Sequence, residues 1–461
     1  MSYTKTLANY AVKLKYDDLP TDVIDQAKLL TLHTLGVALA ACPTQQGKRA
    51  IALAKDLGGQ KKEATILGDG SKVPCVQAGF ANGTLADILD WEDCSWTGHP
   101  SATAIPTALA VGERVKASGK EFITSIVAAY ELYERITMAM QPSENWDYRN
   151  KGWGLTSWNI FASAIPAAKL LELNKEQMEN IIAIAGALTH VTTPRIHSAR
   201  TDFAKYRYGM NCVNGISAAL IAKSGISPIP DFLDGDIAGY WVPFSDKCHH
   251  EWYNKNLGKD YLIMETYFKH WPTNMWINQH LDGIDNIMQK HKIKAEDVEQ
   301  IIVRPTVEQR MVYRPEGYTS IMDAEYSIPY CIAVLMHEPQ PGPNWYTEER
   351  MKDPKILELA GKVKAEGPLL KLNDAFLQFR AGKYPLISVE VKTKDGRLLK
   401  QDVPLPKGHP RNRMTIEEFK ARFRRAASFA LNQDKVEKAL DRILNLEEVK
   451  DMSEIGNLLH G

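Results

Sequence analysis

The sequence lacks the features that mark secreted, membrane-embedded and disulfide-stabilised proteins. Its six cysteines lie far apart and form no C-x-x-C pair, which is typical of reduced thiols in a cytoplasmic protein. No apolar run approaches the roughly 18 residues that a transmembrane helix needs. The N-terminus has no secretory signal pattern. We therefore expect a soluble, cytoplasmic protein.

The chain also has no excess of charge of either sign. Lys and Arg total 56, as do Asp and Glu, so the composition predicts neither a nucleic-acid partner nor a membrane partner. The phosphate-loop, dinucleotide, zinc-protease and nucleophile-elbow motifs are absent. His249-His250-Glu251 resembles a metal-binding run, but adjacent side chains point apart and no further ligand follows at a recognised spacing. We expect no metal and no cofactor.

Apolar residues recur at helical spacing through most of the first half of the chain. Within this half, Gly36 and the small residues after it would let another helix approach closely. Near Tyr267 the pattern changes, and residues 298–304 and 387–393 alternate apolar and polar side chains as half-buried strands do. Helical spacing returns after Pro404. We predict a mostly α protein with a helical domain, residues 1–266 and 405–461, and an inserted smaller α/β domain, residues 267–404.

The stretch from Ile88 to Ser101 joins two segments that we predict as buried helices. Asp90 and Asp93 have the spacing of one helical turn, and two carboxylates on one face raise each other's pKa toward the range useful for acid–base chemistry. His99 can give and take protons near neutral pH. Alternatively, the two aspartates cap the preceding helix and His99 caps the next one.

Positive charge is concentrated between residues 195 and 207. Guanidinium groups bind carboxylates in pairs, so this segment is suited to a substrate with carboxylate groups. Aromatic residues, among them Trp153 and Tyr208, interleave the segment and its neighbours as they would in a pocket. The alternatives are a solvated loop and aromatic rings that only pack between helices. The cationic residues of the segment are Arg195, His197, Arg200, Lys205 and Arg207.

Four segments, spread over most of the chain, form a recognisable set. They are Ile88-Leu-Asp-Trp-Glu-Asp with His99-Pro-Ser-Ala-Thr-Ala-Ile-Pro, residues 205–225, Phe268-Lys-His-Trp-Pro272, and Asp323-Ala-Glu-Tyr-Ser-Ile-Pro-Tyr330. Their order and spacing resemble the MmgE/PrpD family, which includes 2-methylcitrate dehydratase, cis-aconitate decarboxylase and iminodisuccinate epimerase. The resemblance implies a large helical domain built from both chain ends, an inserted α/β lid, a homodimer, and metal-free chemistry on small di- or tricarboxylic acids.

The resemblance also implies site residues. Asp90 matches the family's first active-site aspartate, Asp93 matches its second acid, and His99 matches the histidine of its His-Pro-Ser sequence. Cys94 stands where many members have threonine. Lys205 lies near the family's basic residue.

Two histidines that are frequent in the family are missing. One belongs to a Gly-Trp-His-type sequence, where this chain has Gly152-Trp153-Gly154. The other is replaced by Asn278, with His280 two positions further on. Since these positions fall where substrate specificity would be set, we expect Trp153, Asn278 and His280 to contribute to substrate binding.

Together these features predict a cofactor-independent lyase that makes or protonates a carbanion beside a carboxylate, with dehydration ahead of decarboxylation. An epimerase or isomerase of a dicarboxylate would use the same chemistry, and a non-catalytic relative that binds a carboxylic acid also stays open. The predicted catalytic residues are Asp90, Asp93, His99 and Lys205. The predicted substrate-binding residues are Cys94, Trp153, Arg200, Arg207, Tyr208, Asn278 and His280.

Overall fold

The computed structural model describes residues 2–96, 98–140, 155–190, 199–235, 237–245 and 247–461. The described chain is mostly α, as the sequence predicts. The helices of its first part are α1 (Tyr3–Lys13), α2 (Thr21–Ala41), α3 (Gln45–Asp56), α4 (Cys75–Asp87), α5 (Ser101–Val115), α6 (Gly119–Ala139), α7 (Asn159–Leu170), α8 (Lys175–Ala187), α9 (Arg207–Lys223) and α10 (Glu251–Asn254).

Shorter helices and the strands dominate the second part. Its helices are α11 (Met275–His291), α12 (Ile321–Glu325), α13 (Ile328–His337), α14 (Glu348–Met351), α15 (Pro354–Gly361), α16 (Leu372–Arg380), α17 (Ile416–Ala427), α18 (Gln433–Leu444) and α19 (Ser453–Leu458). The strands of the chain are β1 (Ala64–Thr65), β2 (Lys72–Val73), β3 (Asp93–Cys94), β4 (Tyr267–Phe268), β5 (Val298–Arg304), β6 (Thr306–Val307), β7 (Val363–Ala365), β8 (Leu369–Leu370), β9 (Ile387–Thr393) and β10 (Leu398–Val403).

Local sequence explains where several long helices begin. Helices α6, α8 and α17 each start with a capping box, in which the side chains of the N-cap residue and of the third helical residue bond to each other's backbone N–H group. The N-cap residues are Ser118, Asn174 and Thr415. These reciprocal bonds satisfy backbone donors that the first turn of a helix leaves without partners.

A four-stranded sheet, in the order β10-β9-β5-β7, contains both strands that the sequence predicts. Strand β9 pairs antiparallel with β5 and β10, whereas β5 and β7 are parallel. Helix α11 packs on β9 and β10. A Cβ atom at Gly283 of this helix would lie 2.6 Å from Val389 of β9, so the glycine permits the close contact between helix and sheet.

The C-terminal helix α17 packs against α2, near the other end of the chain. A Cβ atom at Gly36 of α2 would lie 3.1 Å from the ring of Phe423, which is itself buried. The prediction that Gly36 lets a second helix approach closely is therefore confirmed. Chain ends that are hundreds of residues apart share one hydrophobic core.

Two buried helices fix the loop that carries the predicted site. Helix α4 ends at Asp87 and α5 begins at Ser101, and the two helices pack against each other. Strand β3 lies inside this loop and pairs with β4, with Asp93 opposite Phe268 and Cys94 opposite Tyr267. The two-residue ladder attaches the loop to the beginning of the second half of the chain.

Length and apolar composition decide whether a helix could cross a membrane. No single described helix is long and apolar enough to cross a membrane. The pair α2 and α3 meets both criteria only when taken together, and the chain bends by 96° between them.

Replacement of Phe423 by alanine should lower the free energy of unfolding by about 3–5 kcal/mol, because it leaves a cavity between α17 and α2. Urea unfolding of the purified protein measures this change. The matched control is Arg424→Ala in the same helix, whose exposed ion pair with Glu437 should contribute at most about 1 kcal/mol. Equal losses in the two variants would contradict the packing role of Phe423.

Candidate active site

Lys269 is the centre of a buried charged cluster. It follows β4 directly, and its Nζ atom donates hydrogen bonds to Asp90 and, at 2.6 Å, to Glu92 Oε1. The same Glu92 oxygen lies 2.9 Å from Nδ1 of His99. Lys269 and Glu92 are fully buried, whereas the His99 side chain is 14% exposed. The cluster therefore leads from a buried ammonium group to an imidazole that solvent or a ligand can reach.

Opposite charges set the protonation states around Lys269. Burial alone would raise the pKa of Glu92, but the Lys269 ammonium group and then the His99 imidazole lower it to about 2. Burial would lower the pKa of Lys269, but Asp90 and Glu92 raise it well above its usual value. Glu92 is thus a carboxylate and Lys269 an ammonium ion at neutral pH.

Asp93 faces a different environment from Asp90. Its Oδ2 atom accepts a hydrogen bond from the Tyr130 hydroxyl at 2.5 Å, and its Oδ1 atom accepts one from the backbone of Ser101 at 3.2 Å. Burial raises the pKa of Asp93 to about 6 against these hydrogen bonds. The Asp93 carboxylate therefore holds the first residue of α5.

The prediction of a helical turn from Asp90 to Asp93 is wrong. Helix α4 ends at Asp87, Asp90 adopts the left-handed backbone conformation with φ 45°, and Asp93 is in strand β3. The raised pKa of Asp93 has burial as its largest cause rather than a shared helix face. A left-handed conformation is uncommon for a non-glycine residue and is frequent at functional sites.

Lys205 forms a second buried cluster with two acids. Its Nζ atom donates to the main-chain oxygen of Asp87 at 3.1 Å and lies 2.5 Å from Glu325 Oε1. Burial raises the pKa of Glu325 to about 8, although Lys205 acts in the opposite direction. Burial likewise raises the pKa of the Asp87 side chain well above its usual value. Burial therefore shifts Glu325 toward its protonated form.

The two clusters interact electrostatically. Asp90 raises the pKa of both Asp87 and Glu325, in addition to the effect of burial. Four buried carboxyl groups thus share their surroundings with the two ammonium groups of Lys205 and Lys269. These carboxyl groups are Asp87, Asp90, Glu92 and Glu325. Within this set, Asp87 and Glu325 are the two whose pKa is raised.

Several carboxylate oxygens in these clusters are buried without a hydrogen-bond partner in the described part of the chain. They are Asp90 Oδ2, Glu92 Oε2 and Glu325 Oε2. Buried acceptors of this kind carry a desolvation cost that a donor on a bound molecule would relieve.

Arg422 of α17 supports the Lys269 cluster by contacting the backbone of Lys269. Its guanidinium group donates to the main-chain oxygen of Lys269 at 2.5 Å and lies over the ring of Trp91, 5.3 Å from the ring centroid. Helix α17 therefore contacts the segment that carries Asp90 and Glu92 and the segment that carries Lys269.

The predicted arginines make other contacts. Arg200 donates to Asp323 at 3.3 Å and to the main-chain oxygen of Gln309 at 2.6 Å. Arg207 donates to the main-chain oxygen of Ala204 at 2.9 Å. No hydrogen bond or ion pair joins either arginine to the two lysine clusters in the described ranges. The carboxylate-binding role of Arg200 and Arg207 stays a prediction.

The remaining predicted residues differ in their surroundings. Tyr208 is buried, and its ring lies edge-on to His99 with the centroids 6.1 Å apart. Cys94 is buried with its Sγ atom 3.2 Å from Met275 Sδ, and burial raises the pKa of its thiol well above the usual value. Trp153 lies outside the described residues.

Asn278 and His280 lie in α11 and contact the backbone rather than the lysine clusters. Asn278 accepts a hydrogen bond from the backbone of Trp271 at 2.8 Å and donates to Thr273 Oγ1 at 3.0 Å, which fixes the chain before the helix. His280 Nε2 lies 3.1 Å from the main-chain oxygen of Pro305, and burial lowers the pKa of His280 to about 4. Their substrate-binding role stays a prediction that no described contact supports.

Asp90, Glu92 and His99 offer ligand atoms that all lie within 4.8 Å of one another, a spacing that a metal ion could use. Lys269, however, already places its ammonium group against both carboxylates. A metal ion bound there would have to displace or repel this group. The set is thus better suited to the lysine than to a metal, and the absence of a metal stays a prediction.

Comparison with known families matches residues 5–251 to the MmgE/PrpD N-terminal domain and residues 271–448 to the MmgE/PrpD C-terminal domain. The chain belongs to the MmgE/PrpD family. The resemblance drawn from the four sequence segments is therefore confirmed.

Curated relatives match most of the chain or nearly all of it. Cis-aconitate decarboxylase of Homo sapiens is 23% identical over 480 residues, which cover 100% of this chain and 95% of the relative. Cis-aconitate decarboxylase of Aspergillus terreus is 20% identical over 99% of this chain and 96% of its own length. A probable 2-methylcitrate dehydratase of Saccharomyces cerevisiae is 24% identical over 74% of this chain and 69% of its own length.

Three charged residues that the structure brings together in this MmgE/PrpD chain were not predicted as site residues from the sequence. Lys269 stands inside the Phe268-to-Pro272 segment and Glu325 inside the Asp323-to-Tyr330 segment, so both positions were within the resemblance. The resemblance gives Glu92 the place of one acid of the family's Asp-x-Asp-Asp run, but Glu92 is not among the predicted site residues. One signal in the sequence could have indicated Lys269 and Glu325. Each is a charged residue whose immediate neighbours are apolar or aromatic, and a charged side chain that is buried with such neighbours requires a partner.

Replacement of Asp93 by asparagine should change the pH dependence of stability. Because burial raises the pKa of Asp93 in the folded protein to about 6, folding favours its protonated form, and this stabilisation is lost as the pH rises toward 6. Relative to wild type, Asp93→Asn should therefore gain about 2–3 kcal/mol between pH 4 and pH 7.

Urea unfolding at several pH values measures the difference between Asp93→Asn and wild type. The control is Asp395→Asn, because hydrogen bonding to Thr393 lowers the pKa of the exposed Asp395 rather than raising it. If the difference between Asp93→Asn and wild type does not change with pH, Asp93 does not have a raised pKa.

Proposed function

We propose that this chain is a cofactor-independent lyase that moves a proton next to a carboxylate of a small di- or tricarboxylic acid. The names of its relatives, decarboxylase and dehydratase, support a lyase. The observation that carries the proposal is the arrangement of Lys269, Glu92 and His99, which places an oriented imidazole beside buried acids and ammonium groups.

The contacts of His99 define which ring nitrogen is available. Nδ1 lies 2.9 Å from Glu92 Oε1 and 2.8 Å from the main-chain oxygen of Asp93, and both of these atoms are acceptors. The neutral imidazole therefore carries its proton on Nδ1 and has Nε2 as the basic atom. In the proposed reaction, Nε2 of His99 removes the proton from the carbon next to the substrate carboxylate.

Lys205 is suited to bind that carboxylate. Burial shifts the neighbouring Glu325 toward its protonated form, in which it would not cancel the charge of the Lys205 ammonium group. The ammonium group then stabilises the negative charge that develops on the substrate carboxylate as the proton leaves. Asp90 and Glu92 keep Lys269 charged and hold the imidazole in place.

Dehydration is the form of the reaction that we favour. In that reaction Glu325 gives its proton to the leaving hydroxyl group, the C–H and C–O bonds break, and an alkene and water form. The buried oxygens of Asp90 and Glu92 that lack partners in the described chain require hydrogen-bond donors. A hydroxy acid supplies such a donor, whereas ionised cis-aconitate has none.

Decarboxylation is the second candidate, supported by full-length relatives named cis-aconitate decarboxylase. The same base and ammonium groups would serve it, since loss of CO2 also leaves a carbanion that must be protonated. An epimerase would use the proton transfer alone. We place dehydration before decarboxylation because of the unpartnered carboxylate oxygens, although the names of the relatives favour decarboxylation.

The proposal includes an architecture that fits this chemistry. The helical residues 1–266 and 405–461 would form the body of the protein. Residues 267–404 would form a lid that excludes water from the active site on closure. Two copies of the chain would assemble into a homodimer in the cytoplasm. Membership of the MmgE/PrpD family, the change of pattern near Tyr267 and the separated cysteines support these parts of the proposal.

Replacement of His99 by asparagine should lower kcat about 100-fold or more, because the reaction loses its base. Steady-state kinetics on a turned-over substrate measure kcat and KM separately. The matched control is His291→Asn at the C-terminus of α11, which should leave kcat unchanged. An unchanged kcat in the His99 variant would remove His99 from the reaction.

Incubation with 2-methylcitrate, citrate and cis-aconitate in deuterated water distinguishes the candidate reactions. We expect the absorbance of a new conjugated alkene from a hydroxy acid, and its loss in Glu325→Gln, which has no carboxyl proton to give. Release of CO2 from cis-aconitate alone would instead establish decarboxylation. Deuterium uptake without net change would indicate an epimerase, and no reaction with any substrate would favour a binding protein.

A further inference from the structure

A separate cavity of about 300 Å³ lies beside the β3–β4 ladder. Its walls include the aromatic residues Trp96, Tyr267 and Phe379. The residues His409, Pro410, Arg411 and Arg413 also line it. None of the residues of the two lysine clusters lines it. The cavity is therefore distinct from the candidate active site, although Tyr267 belongs to the strand that precedes Lys269.

The charge of the cavity is positive. Arg411 and Arg413 have no ion pair with a carboxylate in the described part of the chain, and their guanidinium groups donate to the main-chain oxygens of Gly382 and Pro410. Glu265 is the one carboxylate among the lining residues. Two guanidinium groups and one carboxylate leave a net charge that a single anion would neutralise.

Tyr267 and His409 are two further polar residues of the lining. The Tyr267 side chain is fully buried, and its hydroxyl has no hydrogen-bond partner among the described residues. The neighbouring His409 is uncharged at neutral pH, because burial and then Arg411 lower its pKa to about 4. A carboxylate would accept bonds from the guanidinium groups, while an apolar ring would contact the aromatic walls.

We propose that this cavity binds a small monocarboxylate with a planar, apolar body. Its volume is at the lower end of the range for ligand sites, which limits the body to about one ring. The ligand would contact the two arginines through its carboxylate and the rings of Trp96 and Phe379 through its apolar part.

A ligand in this cavity would contact the β3–β4 strand pair, which holds the loop of the candidate active site. Tyr267 is paired with Cys94, and the backbone of Phe268 donates to the main-chain oxygen of Gly408 at 3.1 Å. A Cβ atom at Gly408 would lie 2.0 Å from the Phe268 oxygen, so the 408–413 segment packs tightly on β4. A ligand that bridges Trp96, Tyr267 and the arginines therefore restrains the ladder next to Lys269.

Calorimetric titration of the full chain with benzoate tests the proposal. We expect binding that weakens at least tenfold in the double variant Arg411→Gln/Arg413→Gln. The matched control, Lys116→Gln/Lys120→Gln, removes two positive charges from residues that do not line this cavity and should retain binding. Thermal unfolding verifies that both variants are folded, and Arg413→Gln alone replaces the double variant if that one is not.

Hydrogen exchange gives a second measurement. With benzoate bound, the backbone amides of residues 92–95 and 267–269 should exchange more slowly in wild type but not in the arginine variant. The proposal is overturned if the arginine variant binds benzoate as wild type does, or if Lys205→Met abolishes binding while the arginine variant retains it. Complete competition by an equal concentration of inorganic phosphate would overturn the role of the apolar walls.

Discussion

The burial of Lys269 between Asp90 and Glu92 is the interaction on which the candidate site depends. An ammonium group and two carboxylates out of contact with water are tolerated only when their partners are held in place. The partners here are about 180 positions apart in sequence, so the global packing of the chain must bring them together. The short β3–β4 ladder and the close approach of α17 to α2 provide this constraint.

Burial also divides the acids of the site into two kinds. Glu92 is ionised because it contacts Lys269 and His99, whereas Glu325 and Asp93 are shifted toward the protonated form because desolvation outweighs their partners. An ionised acid can orient an imidazole, and a protonated acid can donate to a leaving group. Similar side chains thereby acquire different chemical roles from their surroundings alone.

Local patterns in the sequence were sufficient for the elements with a regular period. The alternating segments 298–304 and 387–393 are strands β5 and β9 with the same bounds, and the small residue Gly36 marks a real helix contact. The Asp90-to-Asp93 turn was wrong because a pairing with β4 and a left-handed residue replace the helix there. Lys269 and Glu325 were missed because their importance comes from partners distant in sequence, which no periodicity reveals.

The hydrogen bond from Arg422 to the main-chain oxygen of Lys269 has a consequence for the biosynthesis of the protein. Residue 422 lies close to the end of the 461-residue chain, and its helix supports segments made much earlier. A nascent chain cannot complete the support of the charged cluster until helix α17 has been synthesised and has packed in place. The contact from Arg422 would therefore form late in synthesis, and a chain that stops before α17 would lack it.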